Sequence, residues 1–359
     1  MPTPRPSGSR RPRRERTAGP RDGAGAVSRS RPDTVTARSV AREAGVSVAT
    51  VSRVMAGSEK VTAERRTQVL AAAERLGYRP NAMARSLATG RSRSVGVVVP
   101  NLSNPYFYDV IRGIGRASAE DGYRMVVTDS MEDPAAERAL VDDLMRYVDA
   151  LVLVGPREDH ELLDELAGET KPVVMLIGPR WVTPLPDVTV DNLGGMQAVY
   201  RHLAELGHRT VAYLSGPPAS AQNAVRLRAV AEAERLGMTV TVVPAGGTID
   251  AGLDATDAAL EHRPTAIVGF NDLVALGALH RLEQLGIRVP EDVSLTGFDD
   301  IVFSAYSSPR LTTVRTPREE LGREGWRLLH GRMGGAPVAS PAPLPAQLVV
   351  RDSTAPPPR

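Results

Sequence analysis

The residues whose types and spacing promise chemistry fall first between 47 and 53. Ser47 can cap a helix whose apolar positions, Val51, Val54 and Met55, recur at helical spacing. That leaves Val48, Ala49, Thr50, Ser52 and Arg53 at its exposed N-terminal end. Short hydroxyls suit phosphate oxygens or short base contacts, and a guanidinium can grip the O6 and N7 of a guanine, worth ~1–3 kcal/mol of discrimination. A solvated helix face is the competing reading of such a cluster. Further along, Asp299 and Asp300 are adjacent acids, but no His or third acid sits nearby in sequence, so a metal site is not expected. Asn271 can N-cap a helix. The six His have no metal-ligand spacing, and Gly216-Pro-Pro-Ala lacks the Lys-Ser/Thr of a phosphate loop. Neither Gly-x-Ser-x-Gly nor His-Glu-x-x-His occurs. With no Cys there is no disulfide scaffold, thiolate ligand or cysteine nucleophile. No enzyme activity and no cofactor are expected.

Three short helices must position the first group. Thr36 can cap one with Val40, Ala41 and Ala44 on its apolar face, and Gly45 breaks it. Ser47 opens the second. Thr62, with Glu64 in the first turn, opens a third, bearing Val69, Ala72, Ala73 and Leu76 and ended by Gly77. Two short helices joined at a tight Gly turn, with a third across them, make a helix-turn-helix over residues 34–80. Residues 1–33 have no hydrophobic period and are dense in Pro, Gly, Ser and Arg, so a disordered basic tail is expected. From 94 the pattern changes to apolar runs alternating with amphipathic stretches. The runs are 95–99, 125–127, 151–154, 173–177, 211–214, 240–243, 266–268 and 293–295. Fully apolar strands between helices mean parallel sheet with helices on both faces. Two doubly wound subdomains suit the length better than the competing (β/α)8 barrel. A helix at 317–332 and a strand at 347–351 follow, and the Pro/Ala-rich 336–346 and 353–359 read as a linker and a loose tail.

Charge separates the same regions. The 359-residue chain has a net +2. Residues 1–33 carry nine Arg against three acids, a net +6, and residues 34–93 carry eleven basic residues against four acids, a net +7. The remainder is therefore at −11. A basic front on an acidic body points to a polyanion partner for the front alone. No apolar run reaches the ~18–20 residues of a membrane span. The Arg- and Pro-rich N-terminus has no apolar stretch behind it, so a cytoplasmic protein is expected, with no membrane partner.

Several short motifs then stand in one order. They are Val40-Ala-Arg-Glu-Ala-Gly-Val-Ser47, Ala49-Thr-Val-Ser-Arg-Val54, Leu76-Gly-Tyr-Arg-Pro-Asn81 and Ala84-Arg-Ser-Leu87. In the body come Asn101-Leu-Ser-Asn-Pro-Tyr-Phe107, Leu206-Gly-His-Arg209, Phe270-Asn-Asp272, Val293-Ser-Leu-Thr-Gly-Phe-Asp-Asp300 and Leu311-Thr-Thr-Val314. This ordered set, spanning about 34–353, resembles the lactose-repressor/galactose-repressor (LacI/GalR) family of bacterial transcription regulators. Two departures are Ala56, where the family often has Asn, and Ser39, where it often has an acid.

The resemblance implies a helix-turn-helix headpiece (34–80), a hinge helix and linker (81–93), and a two-lobed body like periplasmic sugar-binding proteins (94–353), with 354–359 left as a tail. Lobe one would be about 94–189 with 317–333, and lobe two about 190–316 with 345–353. It implies that Thr36, Ser47, Val48, Ala49, Thr50, Ser52 and Arg53 meet double-stranded DNA, Val48 and Ala49 being the specificity pair. It implies that Leu87 wedges a base step in the minor groove, where Ala84 allows close approach and Asn81 and Arg85 reach backbone or base. Paired wedges imply a homodimer on a near-palindromic operator. In the cleft it implies Asp299 as acceptor, Asn271 and Asp272 as a polar pair, Arg226 as fixed cation and Tyr106 and Phe107 as aromatic wall. Asp191 joins them from an interlobe crossing. The expected function is a DNA-binding regulator, a repressor of carbohydrate-utilisation genes, controlled by a small effector such as a sugar. A stand-alone sugar-binding module is the alternative.

Overall fold

The structure, a computed structural model, describes residues 35–55, 58, 60–78, 91–157, 160–179 and 183–358. The basic tail and the hinge positions Asn81, Ala84, Arg85 and Leu87 lie outside the described residues. The chain divides into two compact units, residues 1–81 and 82–359.

The first unit holds α1 (Ala37–Glu43), α2 (Val48–Met55) and α3 (Ala63–Arg75). Thr36 caps α1 by accepting from the Ser39 amide, and Ser39 Oγ accepts from Thr36 N in return. Ser39 thus does the returning half of a capping box that an acid would otherwise do. Gly45 turns the chain at φ 62°, and Ser47 Oγ accepts from Thr50 N at 3.1 Å to start α2. Thr62 precedes α3 as expected, but its hydroxyl makes no cap bond. Val40, Ala41, Ala44, Val51, Val54, Val69, Ala72 and Ala73 form the core.

The second unit contains two open sheets. β1 (Ser94–Val99), β2 (Arg124–Asp129), β3 (Ala150–Val154), β4 (Val173–Leu176) and β5 (Asp187–Val188) form the first, in the order β2-β1-β3-β4-β5, all parallel. β6 (Thr210–Ser215), β7 (Thr239–Pro244), β8 (Ala266–Gly269) and β9 (Ser294–Thr296) form the second, in the order β7-β6-β8-β9, also parallel. The eight apolar runs are therefore split between two sheets and do not close a barrel. β2 and β7 are edge strands whose residues are mostly exposed or half-buried, unlike those of the interior strands β1 and β3. A short antiparallel pair, β10 (Thr313–Arg315) and β11 (Gln347–Val349), lies beside the crossings between the sheets.

Against the first sheet lie α4 (Pro105–Glu120), α5 (Pro134–Tyr147), α6 (His160–Gly168) and, late in the chain, α12 (Arg318–Met333). Around the second lie α7 (Asn192–Leu206), α8 (Ala221–Leu227), α9 (Val230–Arg235), α10 (Ile249–Glu261) and α11 (Asp272–Gln284). α4 and α12 approach so closely that a Cβ on Gly113 would run into the Glu319 carbonyl, and one on Gly322 into the Val110 carbonyl. That packing returns α12 to the first sheet although it follows the second in sequence.

The last residues are not loose. Ser353 Oγ donates to Leu295 O at 2.6 Å, Ala355 N donates to Ser294 Oγ, and Ala355 O meets His208 Nε2 at 2.9 Å. Edge strand β9 has open backbone groups, and the tail satisfies them. A Pro/Ala composition carries no trace of that demand. Among the described residues no helix is long and apolar enough to cross a membrane.

Candidate nucleic-acid interface and ligand cleft

In the first unit, burial of Val51 and Val54 fixes the rotation of α2. Val48, Ala49, Ser52 and Arg53 are exposed as a result, and Thr50 is half-buried. Ser47 Oγ and Thr50 Oγ1 sit 2.9 Å apart, so these hydroxyls are already joined to each other and to the helix end. Arg53 makes no side-chain hydrogen bond or ion pair among the described residues, which leaves its planar donor fork available. Thr36 is committed to its capping box.

In the second unit, a cleft lies between the C-terminal ends of the two sheets. This is where open α/β sheets place ligand groups. Asn104 caps α4 at Tyr106 N, and Pro105 starts the helix, which seats Tyr106 and Phe107 on the cleft with their rings edge-to-face at 5.2 Å. Burial raises the Tyr106 phenol above its ordinary range, so it stays a neutral donor.

Facing it, Arg226 of α8 is buried and fully engaged. Its Nε donates to Asn192 Oδ1 at 3.0 Å, Nη1 to the Phe270 carbonyl, and Nη2 to Asp299 Oδ1 at 3.3 Å. The guanidinium lies 3.6 Å from the Phe298 ring centroid and 4.7 Å from that of Phe270. Asp299 is held in left-handed backbone at φ 111°, with Asp300 following at φ 53°. Arg318 steadies this turn by donating to both carbonyls while pairing with Asp109 of α4 at 2.9 Å. Burial pushes the Asp299 carboxyl up to about 6, against the opposing pull of Arg226 and Arg318. Asn271 does both jobs that its type allows. Its Oδ1 caps α11 at Val274 N, and its Nδ2, donating to Gly247 O, lies at the cleft.

Two expected residues stand elsewhere. Asp272 is buried behind the cleft wall and accepts from Ile301 N at 2.8 Å, Ser304 Oγ and Thr313 Oγ1. Burial, and then the Asp299 charge, push its pKa up to about 7. The carboxylate is spent on pinning the 301–304 turn and β10, so its side chain does not line the cleft. Asp191 caps α7 at Gly194 N, 2.9 Å, and lines a neighbouring cavity with Thr189 and Pro343. Asp300 pairs with Arg315 and Arg351. Among the described residues no three His, Cys, Asp or Glu are grouped to hold a metal.

The family model for bacterial regulatory proteins of the lacI family matches residues 36–81, and that for the periplasmic binding protein-like domain matches residues 200–354. The HTH-type transcriptional repressor CytR of Escherichia coli strain K12 is 34% identical over 327 residues, covering 89% of this chain and 96% of that protein. Catabolite control protein A of Priestia megaterium is 33% identical over 329 residues, covering 89% and 99%. The chain belongs to the LacI family of bacterial regulatory proteins. A solved lac repressor dimer bound to operator and the anti-inducer ONPF superposes with a TM-score of 0.81 at 28% identity, covering 90% of this chain and 100% of that one. A complex of the transcriptional regulator CelR with cellobiose superposes with a TM-score of 0.66 at 31% identity, again covering 90% and 100%.

This LacI-family chain also brings to the cleft residues that its motifs did not mark. Glu132, Arg157, Asn192 and Gln222 all line it. Glu132 follows β2 in a turn where Met131 and Glu132 have φ 51° and 64°, and its carboxylate meets Arg157 Nε and Nη2 at 2.5 Å. Arg157 follows β3, and β2 and β3 flank β1. Position just beyond a strand's C-terminal end was the available signal for both. The two lobes meet at the rim, where Arg157 and Ser220 form a backbone bridge and the Gln222 amide donates to Ile177 O.

Proposed function

We propose that this chain is a sequence-specific DNA-binding transcription regulator, a repressor acting as a homodimer on a near-palindromic operator, whose grip on DNA is set by a small polar ligand such as a sugar. One observation carries the reading: an exposed Arg53, with no side-chain hydrogen bond or ion pair among the described residues, stands beside Val48 and Ala49 on a buried-face helix in the same chain as a cleft lined by Arg226, Asp299 and Asn271. α2 would lie in the major groove with Arg53 reading a guanine. Lobe one would comprise about 94–189 with 317–333, and lobe two about 190–316 with 345–353. The exposed Val302, Phe303 and Tyr306 offer an apolar surface for a second copy. Such work on a chromosome belongs in the cytoplasm and calls for no enzyme activity.

Coupling needs a mechanical link from the cleft to the segment before β1. Asp149 supports one. Its carboxylate, at the start of β3, accepts from Ser92 N at 2.7 Å, Ser92 Oγ at 2.9 Å and Arg93 N at 2.8 Å. Ligand-driven movement of lobe one would therefore carry the incoming chain with it. Selection of binding sites from random duplex DNA tests the reading. A palindromic consensus bound by two chains supports it, and binding without sequence preference refutes it.

A further inference from the structure

Among the described residues, two guanidiniums line the cleft, and each is matched by a carboxylate. Arg157 has Glu132 at 2.5 Å on the lobe-one side, and Arg226 has Asp299 at 3.3 Å on the other. A third acid, the buried Glu137, accepts from the Arg157 backbone amide at 3.2 Å. Arg157 is also spent as a donor, because Nη1 donates to Gly155 O at 2.7 Å while Nε and Nη2 face Glu132. The Met131–Glu132 turn holds two non-glycine residues in left-handed backbone, a strained arrangement that persists only where its surroundings require it. Its effect is to set the Glu132 carboxylate on the cleft-lining guanidinium.

We propose, resting on the reading of the cleft as a ligand site, that the Glu132–Arg157 pair determines specificity by charge. The site takes an uncharged polyhydroxylated ligand and rejects its phosphate ester. Hydroxyls of a neutral polyol can donate to the Glu132 and Asp299 carboxylates and accept from the second hydrogen of Asn271 Nδ2. A phosphate brings two negative charges toward the Glu132 and Asp299 carboxylates and finds Arg157 and Arg226 already paired with them. Building an anion site here requires freeing one guanidinium, and Glu132 is the residue that prevents it.

The test is binding, measured by calorimetry and thermal shift on the full chain, of paired probes: ribose and ribose 5-phosphate, glucose and glucose 6-phosphate, cytidine and cytidine 5′-monophosphate, with inorganic phosphate alone as a further probe. Wild type should bind the neutral member of any recognised pair at least tenfold more tightly, and inorganic phosphate should not stabilise it beyond a chloride control. Glu132→Gln, nearly isosteric, should narrow the preference tenfold or more and gain stabilisation by inorganic phosphate. Adding Arg157→Gln should abolish that gain, and Glu132→Asp should keep the wild-type rejection. If no pair binds wild type, the inorganic phosphate arm decides alone. A phosphate ester bound better than its neutral partner by wild type overturns the proposal. So does a folded Glu132→Gln chain with no gain toward phosphate, or a gain that survives loss of Arg157. DNA binding does not enter this test, so a chain that failed on operators would refute the regulator reading separately.

Discussion

Arg226→Met asks how much the buried pair in the cleft contributes and at what pH. Methionine keeps an unbranched stem against the Phe298 ring, which the guanidinium approaches at 3.6 Å, but removes the donors to Asn192, the Phe270 carbonyl and Asp299. Removing one partner of a buried pair costs ~3–5 kcal/mol, mostly because the other charge is left uncompensated. Asp299 sets the pH dependence. Its folded pKa is about 6 against an ordinary 3.8, so the native chain takes up this proton before the unfolded chain does. Stability from this group is therefore greatest in acid, falls as pH rises from about 4 to about 6, and stays reduced above that. The gap of about 2 pH units corresponds to about 3 kcal/mol at 1.36 kcal/mol each. Arg226 holds that pKa down, so without it the folded value climbs further and the loss deepens at neutral pH. Urea unfolding followed by fluorescence suits the measurement, since both tryptophans, 181 and 326, belong to the body. The variant should lie ~3–5 kcal/mol below wild type at pH 8. At pH 5, with Asp299 protonated, only the lost hydrogen bonds should remain, roughly 1–2 kcal/mol. An equal deficit at both pH values, or a variant more stable than wild type at pH 8, would refute the reasoning.

Other perturbations separate the parts of the account. Arg53→Ala should cost ~1–3 kcal/mol on the best site and relax preference at one base pair per half-site; unchanged preferences in a site selection would remove Arg53 from base reading. Leu87→Ala should leave the dimer intact while reducing DNA bending, and an unchanged bend angle in a gel-shift phasing assay would exclude the wedge. Asp149→Ala frees the Ser92–Arg93 anchor, so ligand binding by calorimetry should persist while its effect on DNA affinity shrinks; full retention of that effect would show that the signal travels by another route.

The strands were legible because runs such as Val95–Val99 and Leu151–Val154 are apolar at every position, and only parallel sheet covered on both faces asks for that. Asn271 and Asp299 stand in motifs that fall just past strand ends, whereas Arg226 was named only through the family resemblance. Asp272 misled for a definite reason. Its neighbour Asn271 sits at the cleft, but the first turn of α11 rotates the next side chain inward, toward hydroxyls of residues 304 and 313. The sequence pattern holds no sign of those distant partners. Glu132 and Arg157 are 25 residues apart, and neither belongs to a motif. They meet because β2 and β3 both pair with β1, and that adjacency is a property of strand order. Asp191 carries a capping role that its type alone would support equally well with a ligand role. The tail at 353–355 reads as loose because what holds it is the unpaired edge of β9.

The central claim is that one polar cleft governs one DNA-reading helix. The most direct measurement is operator affinity titrated against neutral sugars and nucleosides, wild type beside Asp299→Ala, using the duplex recovered by site selection. By linkage, a ligand that changes DNA affinity tenfold, ~1.4 kcal/mol, must have its own affinity changed tenfold by DNA. The account predicts that wild type responds to at least one such ligand with this reciprocity, while Asp299→Ala binds the free operator nearly as tightly and no longer responds. An Asp299→Ala chain that responds as wild type does, or a ligand whose binding leaves operator affinity unchanged, would contradict it.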